Sequence, residues 1–253
     1  MTMRRIGKLA IPSKTVPYRA MILAAGRGER MRPLTDTIPK PLLQAGEYRL
    51  IEYQIHGLVQ AGFKHIVINH AYLGAMIEEV LGNGSRYDAE IIYSPEQVVL
   101  ETAGGIANAL PLLTDDHRER PILVVNADIY CEYDYATLLP VLQDMYTNCS
   151  NRLAHLVLVD NPQHHAAGDF ALEQDRVARC ADNCLTFSGI GVYHPLLFRE
   201  VAPKTPAKLA PLLHAGIDNK CVTGEYYPGV WFDIGTPDRL EQLDKKLKAR
   251  SIN

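Results

Sequence analysis

Short apolar runs that alternate with helical periodicity constrain this chain more than any other feature. Ala20–Ala24 is apolar throughout and is followed by Gly26, which reads as a buried strand. Leu50, Ile51, Tyr53, Ile55, Leu58 and Val59 recur at helical spacing and stop at Gly62. His65–His70, Glu90–Tyr93 and Ile122–Asn126 read as further strands. Ala75–Leu81, Gly105–Leu113 and Ala136–Tyr146 read as helices set among them. Such alternation implies a parallel sheet covered on both faces, because each crossover helix buries its apolar stripe against the strands. Ligands of these sheets sit at the carboxyl ends of the strands. Gly26, the segment after Tyr93 and Asp128 are therefore expected to share one edge.

Beyond residue 150 strands dominate. Ala154–Val159, Phe170–Leu172, Arg176–Arg179 and Leu185–Tyr193 are candidates, and Tyr226–Ile234 returns as another. Pro195–Val201 and Leu209–Ala215 read as helices. Thr236-Pro237-Asp238 opens the last helix, with Thr236 as N-cap and Pro237 at the first position. The expected fold class is α/β, with a mixed, mostly parallel central sheet and helices on both faces. No linker or internal repeat divides it, so residues 20–250 are expected to be one domain. Its halves are residues 20–150, for a nucleotide, and 151–250, for a second substrate.

Charge and composition narrow the function. The chain carries 26 basic and 29 acidic residues, a net charge of −3, which disfavours a basic face reading nucleic-acid phosphates. Arg4, Arg5, Lys8, Lys14 and Arg19 fall in the first nineteen residues with no acid among them. That segment has no apolar core of a secretory signal and reads as a flexible basic extension. No apolar run approaches a membrane span. The five cysteines are odd in number and lack metal-site spacing, so they read as reduced thiols in a cytoplasmic protein.

The segment Leu23-Ala24-Ala25-Gly26-Arg27-Gly28-Glu29-Arg30-Met31 follows the first strand. Small residues there let the backbone turn sharply and approach a ligand closely, and successive N–H groups in such a turn form an anion-binding concavity. Met31 stands where a dinucleotide fingerprint needs a third small residue, and no lysine–hydroxyl pair of a P-loop follows. Arg30 and Lys40 bring positive charge to this loop. Pro39 and Pro41 stiffen the chain around Lys40, which suits it to a triphosphate. A surface lysine in a proline-rich loop is the alternative. Asp128 closes an apolar strand and Asp233 precedes a helix. Two such carboxylates suit Mg²⁺, or else they are a turn residue and a cap.

The loop L-A-A-G-x-G-x-R-M followed by P-K-P-L resembles the signature of the sugar-1-phosphate nucleotidyltransferases. The resemblance implies a Rossmann-like, GT-A-like fold and UTP or another nucleoside triphosphate as one substrate, with a sugar 1-phosphate as the other. It implies that Leu23, Ala24, Ala25, Gly26 and Gly28 hold the nucleotide with Asn126, that Arg30 neutralises its outer phosphates and that Lys40 serves the attacked phosphate. It implies that Asp128 and Asp233 bind Mg²⁺. Ala127 departs from the family's usual glycine before that first aspartate. Thr102, Ala103 and Gly104 are the expected base contacts, with an ordinary strand–loop–helix connection as the lesser alternative.

Further segments resemble the branch of this family that acts on N-acetylmuramic acid 1-phosphate in peptidoglycan recycling. They include Ile68-Asn69-His70-Ala71, Leu158-Val159-Asp160-Asn161-Pro162, Gly168-Asp169-Phe170, Phe187-Ser188-Gly189-Ile190 and Lys208-Leu209-Ala210-Pro211. By that resemblance Asn161, Asp169, Ser188, Gly189, Lys208 and Trp231 serve the sugar phosphate. His164 and His165 are open candidates for the lactyl carboxylate. The implied product is UDP-N-acetylmuramic acid, formed by a monomer or small homo-oligomer with no nucleic-acid or membrane partner. The same chemistry on glucose 1-phosphate or mannose 1-phosphate, and a silent nucleotide-sugar-binding subunit, are the competing readings.

Overall fold

The computed structural model describes residues 17–114, 120–148 and 152–251. Its strands, in chain order, are β1 (Ala20–Leu23), β2 (Gln44–Ala45), β3 (Tyr48–Arg49), β4 (His65–His70), β5 (Glu90–Pro95), β6 (Ile122–Asn126), β7 (Ile129–Cys131), β8 (Ala154–Val159), β9 (Phe170–Glu173), β10 (Arg176–Arg179), β11 (Thr186–Tyr193), β12 (Val222–Tyr226) and β13 (Trp231–Asp233). The helices are α1 (Leu50–Gln60), α2 (Gly74–Leu81), α3 (Glu101–Thr114), α4 (Leu139–Thr147), α5 (Leu209–Asp218) and α6 (Pro237–Ser251).

Nine strands form one sheet in the order β5-β4-β1-β6-β11-β8-β12-β10-β9. The pairings make seven of them run the same way, with β10 and β11 reversed. The sheet is mixed and mostly parallel, as the alternation implied. In β1, Met21 packs with Val67 and Val124 on one face, while Ile22 packs with Ile68 and Val125 on the other. Side chains alternate faces along a strand, so covering both faces makes the whole run apolar. A smaller cluster of Met31, Leu43, Leu50, Tyr130, Ile234 and Leu243 seats α6 and the β7–β13 ribbon beside the sheet edge.

Several local expectations are corrected. α3 begins at Glu101, four residues before Gly105, because tertiary partners cap it. The Glu96 carboxylate accepts the Leu100 N–H at 2.9 Å, and the Ala207 carbonyl accepts those of Ala103 and Gly104. Tyr226–Ile234 is not one strand. It splits into the end of β12 and the separate β13, with Pro228-Gly229 between them, and proline has no N–H for a ladder. Pro195–Val201 shrinks to one 3₁₀ turn, Pro195–Phe198. Cys180 and Cys184 are joined in a disulfide, contrary to the expected free thiols; their turn sets the Cα atoms 5.5 Å apart, within bridging range. The expected extension falls mostly outside the described residues. Among the described residues Tyr18 is already buried, and its hydroxyl donates to Gln143 at 2.9 Å.

Candidate active site

The carboxyl ends of β1, β4, β5 and β6 open onto a cleft of about 520 Å³. The loop after β1 forms one wall, with Leu23, Ala24, Ala25, Gly26, Gly28 and Arg30 all lining it. A Cβ on Gly26 would meet nothing, so the backbone there is bare toward the cleft. Gly28 has φ +68°, and a Cβ would come within 3.1 Å of the Lys40 stem and of Thr35. A glycine at this position lets the loop lie against Lys40. The Ala24 N–H is committed to the Asn69 side chain at 2.9 Å and is not free for an anion.

Lys40 reaches across the cleft from a 3₁₀ turn, Lys40–Leu42, and its ammonium donates to the Asp128 carboxylate. Asp128 stands in the two-residue turn between β6 and β7. The β7–β13 ribbon pairs Asp233 with Ile129, and the Ile234 N–H donates to the Asp128 carbonyl at 2.8 Å. The backbones that carry the two aspartates, remote in sequence, are thus joined. Asp233 is itself held by Arg239 and lies 3.0 Å from His164 Nε2. Two carboxylates carried on paired strands are the oxygen donors that Mg²⁺ takes, one or two of them plus phosphate oxygens. Among the described residues no group of three or more metal-ligating side chains occurs.

The far wall differs from expectation. Thr102 lines the cleft, but Ala103 and Gly104 do not serve it. Ala103 is fully buried, both N–H groups bond Ala207, and a Cβ on Gly104 would strike the Thr205 carbonyl. The wall is completed by residues the sequence reading did not assign: Asn69, Glu96, Val99 and Glu101. Glu96 is buried, accepts from Asn69 at 2.7 Å and caps α3. Asn69 therefore ties the glycine loop to the α3 wall. Glu101 holds φ +60° at the cleft, a conformation non-glycine residues rarely adopt.

The expected sugar-phosphate residues are divided too. Gly189, with φ +82°, packs against Asn126, the expected nucleotide residue, which lines the cleft. Trp231 is placed by its indole N–H, which donates to the Ser188 carbonyl at 2.9 Å. Ser188 is buried, and its hydroxyl donates to the Val157 carbonyl and accepts from the Ile190 N–H. Asn161 is half-buried. Its amide donates to the Ala166 and Cys184 carbonyls, and its oxygen accepts from Thr186. Asp169 accepts the Phe187 N–H and pairs with His165, which fixes the turn that carries His164. Lys208 is an exposed N-cap of α5 and does not line the cleft.

Arg239 was missed although the sequence carried a signal. A cation in the first turn of a helix opposes the helix dipole and points to an anionic partner nearby. The partner is Asp233.

Residues 19–250 match the family model described as nucleotidyl transferase. The chain belongs to that family. It is 48% identical over 228 residues to the N-acetylmuramate alpha-1-phosphate uridylyltransferase of Neisseria meningitidis serogroup B, covering 88% of this chain and 96% of that one. It is 27% identical to the Danio rerio mannose-1-phosphate guanylyltransferase catalytic subunit beta over 87% of its length, and spans 61% of that longer relative. In fold it is similar to a Bacillus anthracis protein assigned as a glucose-1-phosphate thymidylyltransferase (TM-score 0.77, 18% identity, 91% and 95% of the two chains). It is also similar to HddC from Yersinia pseudotuberculosis (TM-score 0.70, 18% identity, 90% and 99%).

Proposed function

We propose that this nucleotidyltransferase transfers UMP from UTP to N-acetylmuramic acid α-1-phosphate, giving UDP-N-acetylmuramic acid and pyrophosphate for peptidoglycan recycling. The observation that carries the reading is the convergence of the glycine loop, Lys40 and Asp128 on one cleft, with Asp233 on the strand paired beside Asp128. The nearly full-length likeness to a relative of that name supports the choice of base and sugar.

The chain's own residues suit such a transfer. The bare backbone at Gly26 admits the triphosphate, and Arg30 stands at the cleft to neutralise its outer phosphates. Lys40 is nearly buried, so its charge acts in a poorly screened setting on the attacked phosphate. An oxygen of the sugar phosphate forms the new bond to the α-phosphorus in line. The bond to the bridging oxygen breaks and pyrophosphate departs. The nucleophile is already an anion, so no side chain need remove a proton. Asp128 and Asp233 would hold Mg²⁺, which when bound supplies charge neutralisation on the phosphate oxygens. Among the described residues no helix is long and apolar enough to cross a membrane. We place the reaction in the cytoplasm, where its polyanionic substrates are retained.

The test is pyrophosphate release with UTP and Mg²⁺, comparing N-acetylmuramic acid α-1-phosphate with N-acetylglucosamine α-1-phosphate. Strong preference for the muramyl substrate is expected. Equal rates, or faster turnover of mannose 1-phosphate with GTP, would withdraw the assigned pair.

A further inference from the structure

Arg239 lies in the first turn of α6 with only 16% of its side chain exposed. Its Nη1 donates to the Asp233 carboxylate and lies 2.6 Å from His164 Nε2. His164 Nε2 is also 3.0 Å from the second Asp233 oxygen, and one ring nitrogen serves only one of these partners at a time. Beside them, Arg30 also reaches Gly235. A Cβ on that glycine would strike Arg239 Nη2 and lie 3.1 Å from Arg30 Nη2. Two guanidinium groups thus converge over one glycine, with Asp233 as the nearby carboxylate that binds Arg239.

We propose that Arg239 is an acceptor-binding residue. It is held by Asp233 before substrates arrive and exchanges that carboxylate for an oxyanion of the sugar substrate. The inference rests on the reading above that the acceptor is a sugar 1-phosphate and that Asp233 serves a divalent cation. A divalent cation on Asp233 competes for the carboxylate oxygen that now accepts from Arg239 Nη1. The guanidinium is then left poorly exposed, at the positive end of a helix, beside a second guanidinium. Only an anion restores the balance. The glycine loop and Lys40 lie toward the triphosphate side. His164, by contrast, comes from the turn Gln163–His165, in the half expected to take the sugar. The contact with Asp233 shows that a carboxylate fits the guanidinium here. Both the 1-phosphate and a lactyl carboxylate present that chemistry.

The test uses full-length Arg239→Gln and Arg239→Lys proteins, each assayed with the muramyl and the glucosamine 1-phosphates at saturating UTP. The acceptor KM should rise at least tenfold in Arg239→Gln and less in Arg239→Lys, with the KM for UTP within twofold of wild type. A rise confined to the muramyl substrate locates the carboxylate at Arg239; an equal rise for both locates the 1-phosphate. Without substrates, Mn²⁺ binding followed by electron paramagnetic resonance should tighten at least threefold in Arg239→Gln, because the competing side-chain cation is gone. Wild-type turnover with an unchanged acceptor KM in the variants, or a UTP KM that rises in step, would overturn the acceptor role. Unchanged Mn²⁺ affinity would overturn the exchange. A wild-type protein inactive on both sugars would remove the underlying reading of the reaction, a separate result.

Discussion

Lys40 and Asp128 are bonded to each other across the cleft, 88 positions apart in the chain. Local sequence aims Lys40, but only the sheet brings Asp128 to it. Lys40 is aimed by its two flanking prolines and by Gly28 lying against its stem. Asp128 is delivered by the parallel register of β6 on β1, which sets Asn126 opposite Leu23. The pair exists because three crossovers, through α1, α2 and α3, return the chain to the same sheet edge.

Asp128→Asn tests that pair. The amide oxygen still accepts from Lys40, so the loss of stability should be about 1 kcal/mol. Turnover should fall on the order of 10²–10³-fold, since a charged group facing the reacting phosphates is lost. Steady-state kcat and a thermal melt on the same preparation check both halves. Wild-type-like turnover would remove Asp128 from the reaction.

Asn69 is the second target. Its side chain joins the Ala24 N–H to the buried Glu96 carboxylate, and so couples the glycine loop to the start of α3. Asn69→Leu leaves an N–H and a carboxylate oxygen without partners in a buried setting. The expected cost is about 3 kcal/mol in urea denaturation. The KM for UTP should rise more than the KM for the sugar phosphate, because the altered wall is on the nucleotide side. Equal rises would show that the tie does not position the loop.

Much of the fold was legible because its signals are local. β4, β6, β8 and β10 fall where their apolar runs predict, and Thr236 accepts from the Arg239 N–H as an N-cap should. Residues whose partners are distant were not legible. Ser188 and Asn161 look like ligands in sequence, yet both bond backbone carbonyls of segments distant in the chain, Val157 and Cys184. Ala103 and Gly104 look like free helix N-terminal donors, but the Ala207 carbonyl from the α5 side claims them. Asn69 and Glu96 were passed over because a strand-end amide and a loop carboxylate gain meaning only when the sheet sets them side by side.

Glu225 gives a pH-dependent test away from the cleft. The His155 ring bonded to it, aided by the Tyr133 hydroxyl, holds its carboxyl below the usual range despite partial burial. Burial and the same hydrogen bond push the Tyr133 hydroxyl far up, so it stays a neutral donor. A depressed carboxyl adds stability that is present above the unfolded pKa and lost as pH falls through the folded one. Glu225→Gln should therefore cost about 1 kcal/mol at pH 7. That difference should shrink steadily below about pH 4.5. Urea midpoints measured from pH 7 to pH 3 check it. A gap that stays constant across that range would mean the stabilisation does not depend on the charge of Glu225.

Gly189 is placed where a side chain has no room. Its φ of +82° is costly for any other residue, and a Cβ would lie 2.6 Å from Asn126 Nδ2 and 2.8 Å from its Cγ. Asn126 lines the cleft at the end of β6, so the collision would push a site residue toward the substrate. Gly189→Ala should lose about 2–3 kcal/mol of stability, through backbone strain together with the clash. It should also lower kcat/KM at temperatures where the protein remains fully folded. The two causes separate in a double-mutant cycle with Asn126→Ala, which removes the amide but not the strain. Stability should recover by about 1 kcal/mol in the double mutant relative to the sum of the singles. Strict additivity would mean the cost is all backbone, and that Gly189 does not set the position of Asn126.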